Sequence, residues 1–116
     1  MNSKNELIVT DSIHHCILVF DTDGKLLQTF GSHGNGCGEF NTPTGVAVDG
    51  QNNILVVDRD NNRVQAFSPT GTYFGEITNL GMDGAAFFHP GGICVSPYGS
   101  VVVADCLNKC IEVFQF

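Results

Sequence analysis

The chain repeats itself every 47 residues, and this period constrains its fold more tightly than any single motif. Asp11, Asp58 and Asp105 stand 47 apart, as do Phe20, Phe67 and Phe114, and Ile17, Val64 and Ile111. The same offset joins Phe40 to Phe87, Pro43 to Pro90, Gly45 to Gly92 and Gly24 to Gly71, with no insertion or deletion. Periods of this size belong to stacked supersecondary units that bury their apolar faces against one another.

The middle unit, residues 40–86, is the complete one and reads as four short strands: Gly45 to Asp49, Ile54 to Asp58, Val64 to Phe67 and Tyr73 to Ile77. They are rich in β-branched and aromatic residues and bounded by GQNN, RDNNR and SPTGT, which are turn compositions. Four antiparallel strands, here a to d, make one propeller blade. The b strands LIVTD, ILVVD and VVVAD are nearly continuous in apolar residues, which predicts burial on both faces. The flanking strands alternate, as in Val64, Gln65, Ala66 and Phe67, and are expected nearer the solvent edge. Helical periodicity is absent, and GSHGNGCGEF, residues 31–40, reads as a glycine-rich loop between blades.

In the same phase the first unit, 5–39, begins at its b strand, and the last, 87–116, stops just beyond its c strand. The expected fold class is all-β: a partial β-propeller of about two and a half blades, with three, four and three strands. A ring of about four to eight blades exceeds this length, so the chain reads as a piece of a larger ring with open edges.

Twelve acidic residues against five basic ones give a net charge of -7, which opposes the general electrostatic attraction behind nucleic-acid binding. The cations Lys4, Lys25, Arg59, Arg63 and Lys109 are scattered. Cys16, Cys37, Cys94, Cys106 and Cys110 form an odd set without a CxxC spacing, and the chain opens on MNSKNE, with no secretory pattern. Reduced thiols and a cytoplasmic location are therefore expected. No apolar run approaches the roughly 18 residues of a membrane span.

Residues 40–67, FNTPTGVAVDGQNNILVVDRDNNRVQAF, resemble the NHL repeat, the propeller unit of TRIM-NHL proteins, and the likeness extends over residues 5–116. The place of the Asn-His-Leu element is taken by Asn61, Asn62 and Arg63 in the middle unit, by His14, His15 and Cys16 in the first, and by Asn108, Lys109 and Cys110 in the third. The resemblance implies a six-bladed parent ring, and it makes Phe116 a genuine end and Met1 a truncated start. It also implies that remaining blades, or a second copy, cover the open edges. In functional terms it implies a protein-recruiting module of a ubiquitin ligase whose RING domain lies elsewhere, with sequence-selective RNA binding as the alternative. A histidine-bound metal in the channel, as in the peptide-amidating lyases that share the repeat, is a weaker third.

The residues themselves favour scaffold roles for Asp11, Asp58 and Asp105, since a carboxylate ending strand b can accept hydrogen bonds from the backbone N–H groups of the next turn. Pro43, Gly45, Pro90 and Gly92 suit a chain entering a blade where backbones approach closely. Phe20, Phe67 and Phe114 are expected to pack between blades. The histidines do not recur in register, no nucleophile motif occurs, and DRDNN at 58–62 lacks the rest of a calcium loop, so neither catalysis nor a resident cofactor or metal is expected. The b–c turns vary while their scaffold does not, and recognition on a rigid scaffold looks like this. The candidate binding residues are His14, His15, Arg59, Asn61, Asn62, Arg63, Asn108 and Lys109, joined by the inter-unit Phe88 and His89.

Overall fold

The computed structural model describes residues 2–77, 90–105 and 109–115. Its strands are β1 (Leu7–Asp11), β2 (Cys16–Phe20), β3 (Leu26–Phe30), β4 (Ser32–His33), β5 (Glu39–Phe40), β6 (Pro43–Val48), β7 (Ile54–Asp58), β8 (Arg63–Phe67), β9 (Tyr73–Ile77), β10 (Pro90–Val95), β11 (Ser100–Asp105) and β12 (Cys110–Gln115). Three antiparallel meanders result, ordered β1-β2-β3, β6-β7-β8-β9 and β10-β11-β12. The glycine-rich loop between the first two folds back on itself through a two-residue parallel pair, β4 with β5.

The 47-residue offset survives in the backbone. Asp11 pairs with Cys16, Asp58 with Arg63 and Asp105 with Cys110, so the three aspartates open equivalent b–c hairpins. Left-handed residues recur in the same way: His15, Asn62 and Lys109 at φ of 55°, 53° and 55°, and Asn5, Asn52 and Gly99 at 60°, 64° and 86°. Strand a begins at Pro43, two residues before the glycine where the sequence pattern places it, because Pro43 pairs with Asp58 across a bulge.

The core lies between the sheets. Ile8, Ile17 and Val19 of the first sheet meet Ile54, Val56 and Phe67 of the second, with Phe40 closing the cluster from the loop. On the other side of the second sheet, Leu55, Val57, Val64 and Ala66 meet Val101 and Val103 of the third. Because side chains alternate along a strand, each sheet has two apolar faces. The leading face holds Ile8, Leu55 and their repeat equivalents, and the trailing face holds Ile54, Val101 and theirs. Phe67 anchors the first seam, its ring centroid 4.9 Å from that of Phe30 and 5.6 Å from that of Phe40.

Three expectations need correction. Continuous burial of strand b holds for β7 alone, all five of whose residues are buried; in β1 only Ile8 is, because the first sheet has a neighbour on one side. Strand c does not lie near solvent in the middle sheet: all of β8 is buried, Gln65 and Arg63 included. Phe20 is half-buried on the trailing face of the first sheet, with no sheet among the described residues against it. The side chain of Phe114 lies outside the described residues.

Gly45 carries the expected close approach. A Cβ there would stand 2.9 Å from the Gly91 carbonyl oxygen, which also accepts a hydrogen bond from Thr44 Oγ1 at 3.0 Å. The equivalent Gly92 would meet nothing within 4 Å.

Candidate interaction face

Antiparallel order sends the b–c turns and the loop between sheets to one end of the arc and the a–b and c–d turns to the other. The shared end therefore collects residues 12–15, the 3-10 turn Arg59–Asn61 with Asn62, Lys109, and the glycine-rich loop 31–42.

In the first turn Asp11 takes the expected role. Its Oδ1 accepts the backbone N–H groups of Ile13 and His14 at 3.1 and 3.0 Å, and its Oδ2 lies 2.9 Å from His14 Nδ1. The His14 backbone bond, followed by the His14 ring, holds the Asp11 carboxyl below its ordinary value of 3.8. The turn is thereby fixed, and Ile13 projects from it at 82% exposure.

The middle turn is built differently. Asp58 Oδ1 accepts the N–H of Asn41, 2.7 Å away and 17 residues back, rather than an amide of its own turn. Its Oδ2 accepts from Asn61 Nδ2 at 2.9 Å, Arg63 Nε at 2.7 Å and Gln65 Nε2 at 3.1 Å. The equivalent hairpins opened by Asp11 and Asp58 thus carry unlike carboxylate partners, and the side chain of Asp105 lies outside the described residues.

Arg63 belongs to this clamp and not to the exposed face. It spends all five guanidinium N–H groups inward: Nε on Asp58, Nη1 on Glu76 Oε2 at 3.1 Å and the Asn35 carbonyl at 3.2 Å, Nη2 on the Gly36 and Glu39 carbonyls at 2.8 and 2.7 Å. Gln65 completes it, giving Nε2 to the Glu39 carbonyl at 2.7 Å and receiving the Gly38 N–H at 2.9 Å. Asn61 is half-buried and donates to the Gly34 carbonyl at 2.9 Å. His15 is also half-buried; its Nδ1 accepts the Thr42 N–H at 2.9 Å, and its ring centroid sits 4.3 Å from that of His33. Thr42, at φ 57°, is a left-handed β-branched residue before a proline, a conformation costing on the order of 1–3 kcal/mol and held here by that bond.

Of the sequence-derived candidates, His14, Arg59 and Lys109 reach solvent, with Asn62 half-buried beside Arg59. Phe88, His89 and Asn108 lie outside the described residues. Ile13 is the exposed residue that the candidate set omits, and its signal was an isoleucine inside a turn. Among the described residues no three His, Cys, Asp or Glu side chains converge, and no helix is long and apolar enough to cross a membrane. The opposite end carries a cleft of about 520 Å³ between the a–b turns of the second and third sheets. Its one carboxylate, Asp49, is used by its own turn, accepting from the Gln51 and Asn53 amides at 2.9 Å.

With three radially repeated meanders established, comparison with known proteins decides the family. A profile described as a six-bladed β-propeller matches residues 1–91, and one for the NHL repeat matches residues 87–114. The chain belongs to the NHL-repeat β-propeller family. It is 32% identical over 120 residues to protein brain tumor of Drosophila melanogaster, a TRIM-NHL protein, covering 99% of this chain and 11% of that one. Two solved structures from Bacteroides thetaiotaomicron share the fold. A structural-genomics protein has a TM-score of 0.75 at 19% identity, covering 95% of this chain and 32% of its own; an auxiliary nutrient binding protein has 0.68 at 18%, covering 94% and 34%. The propeller segment thus spans about a tenth of the curated relative and about a third of each solved chain.

Proposed function

We propose that this propeller segment is a non-catalytic interaction module that recruits a protein partner through its b–c turn end, as the substrate-recognition part of a TRIM-type ubiquitin ligase working in the cytoplasm. The observation that carries the reading is the first turn, where an exposed apolar side chain, Ile13, stands on a loop whose backbone is locked by Asp11. A fixed apolar contact with a polar neighbour, His14, and with Arg59 and Lys109 on the other b–c turns of the same end, suits protein recognition, in which little ordering entropy remains to oppose binding. The likeness to protein brain tumor supports the TRIM-type assignment.

RNA binding is the second reading, and the charge distribution weighs against it. Arg63 is occupied internally, so the described b–c turns offer only Arg59 and Lys109 as cations, in a chain of net charge -7. Filter binding with mixed-sequence single-stranded RNA, run between about 50 and 200 mM salt, tests this. The protein reading predicts weak binding throughout; tight binding that falls steeply with salt moves the assignment to RNA.

A further inference from the structure

The glycine-rich loop holds one peptide unit, between Asn35 and Gly36, whose two polar groups are gripped by opposite charges. The Gly36 N–H donates to Glu39 Oε1 at 2.8 Å, and the Asn35 carbonyl oxygen, on the other side of the same peptide bond, accepts from Arg63 Nη1 at 3.2 Å. The Glu39 N–H donates in turn to the Gly36 carbonyl at 3.1 Å, which holds its carboxylate over the unit. Glycine permits this approach, since a Cβ at position 36 would stand 2.7 Å from the same carboxylate oxygen. All of these partners come from the loop and from β8. Asn35 is exposed to water, and among the asparagines of the chain it alone precedes a glycine.

An asparagine followed by glycine has an intramolecular reaction open to it, attack by the next backbone nitrogen on the side-chain amide carbon. That nitrogen is inert while it keeps its proton. A carboxylate on the N–H can take the proton as a general base, and a guanidinium on the adjoining carbonyl oxygen stabilises the negative charge that spreads there. We propose that the Asn35 and Gly36 pair is a self-modification site, at which the folded chain converts Asn35 to a succinimide and then to aspartate and isoaspartate, with Glu39 as the base and Arg63 as the oxygen clamp. Glu39 takes the Gly36 proton, the freed electron pair forms the bond from the Gly36 nitrogen to Asn35 Cγ, and the Cγ–Nδ2 bond breaks as Glu39 passes the proton to the departing ammonia. Water then opens the ring. Opening at Cγ leaves aspartate on the ordinary backbone; opening at the main-chain carbonyl leaves isoaspartate, which lengthens the backbone by one carbon and turns the carbonyl held by Arg63 into a carboxylate. Either product adds a negative charge to the loop at the b–c end.

Peptide mass spectrometry tests this on the folded 116-residue chain kept in neutral reducing buffer, beside a synthetic peptide of residues 31–40, GSHGNGCGEF, in which the same groups are not held in place. Succinimide, aspartate and isoaspartate at position 35 are measured against time. The expected result is conversion at least about tenfold faster in the folded chain than in the peptide, and loss of that advantage in Glu39→Gln, whose amide oxygen still accepts the Gly36 N–H but cannot take its proton. Circular dichroism checks that the variant is folded; if it is not, the comparison of wild type with the peptide decides alone. A folded chain that converts no faster than the peptide shows that the Glu39 bond shields the Gly36 nitrogen, and a folded Glu39→Gln chain as fast as wild type shows that Glu39 only caps the turn. Either result overturns the proposal.

Discussion

Arg63 and Asp58 form an ion pair of 2.7 Å across the b–c hairpin, with side chains only 7% and 0% exposed. The same two residues hold the glycine-rich loop, since Asp58 binds the Asn41 amide while Arg63 binds the carbonyls of residues 35, 36 and 39. One buried pair therefore fixes both the hairpin and the crossing between blades.

Breaking that pair by Arg63→Ala should cost about 3–5 kcal/mol, because Asp58 is left buried without its counter-charge and the carbonyls of residues 35, 36 and 39 each lose the Arg63 donor. Arg63→Lys should recover only part of this, since an ammonium cannot reproduce the five-donor fork. Urea denaturation reads both; a loss under about 1 kcal/mol for Arg63→Ala means the clamp does not hold the loop.

Phe67→Ala should destabilise the fold by roughly 3–5 kcal/mol, as it empties the aromatic cluster with Phe30, Phe40 and Tyr73. Arg59→Ala, on a partly exposed turn side chain, should stay within about 0.5 kcal/mol. Equal losses in the same titration contradict the division into seam and surface.

The architecture was legible in the sequence because a rigid 47-residue period leaves one strand register, and β7 and β9 lie where their β-branched and aromatic runs place them. Arg63 was not legible: it closes RDNNR, which reads as turn, and its repeat equivalents are Cys16 and Cys110, so the period offered no precedent for a buried cation. The half-burial of Phe20 was hidden for the opposite reason. Repeat logic treats every unit as flanked, whereas the first sheet has a neighbour on one side only. The candidate face was half legible, since variation among turns singled out the b–c end but could not separate a residue facing solvent from one folded back into the loop.

Gly45→Ala should destabilise by about 1–3 kcal/mol, because the new methyl would press on the Gly91 carbonyl, a backbone atom held in the seam. Gly92→Ala, whose Cβ meets nothing, should be close to neutral. Thermal melts of the two variants check the contrast, and equal shifts would contradict the close approach at the second seam.

Acid should loosen the first b–c turn at low pH. The Asp11 pKa is lowered in the folded chain, so its contribution is fully present above the ordinary value of 3.8 and is lost as pH falls through the lower folded value. An NMR titration should place the Asp11 carboxyl midpoint below 3.8, with the Ile13 and His14 amide signals moving in step. A midpoint at or above 3.8 contradicts the locked turn.

Recognition at the b–c end is tested most directly by affinity capture with three immobilised forms of the chain: wild type, Ile13→Asp, and Tyr98→Ser on the opposite end, where Tyr98 is 92% exposed. Any partner held by wild type is then purified and its affinity for each form measured by titration calorimetry. The account predicts that Ile13→Asp weakens binding by at least about tenfold, about 1.4 kcal/mol, while Tyr98→Ser leaves it unchanged. Binding that survives Ile13→Asp and is lost with Tyr98→Ser would place recognition at the a–b turns and contradict the account.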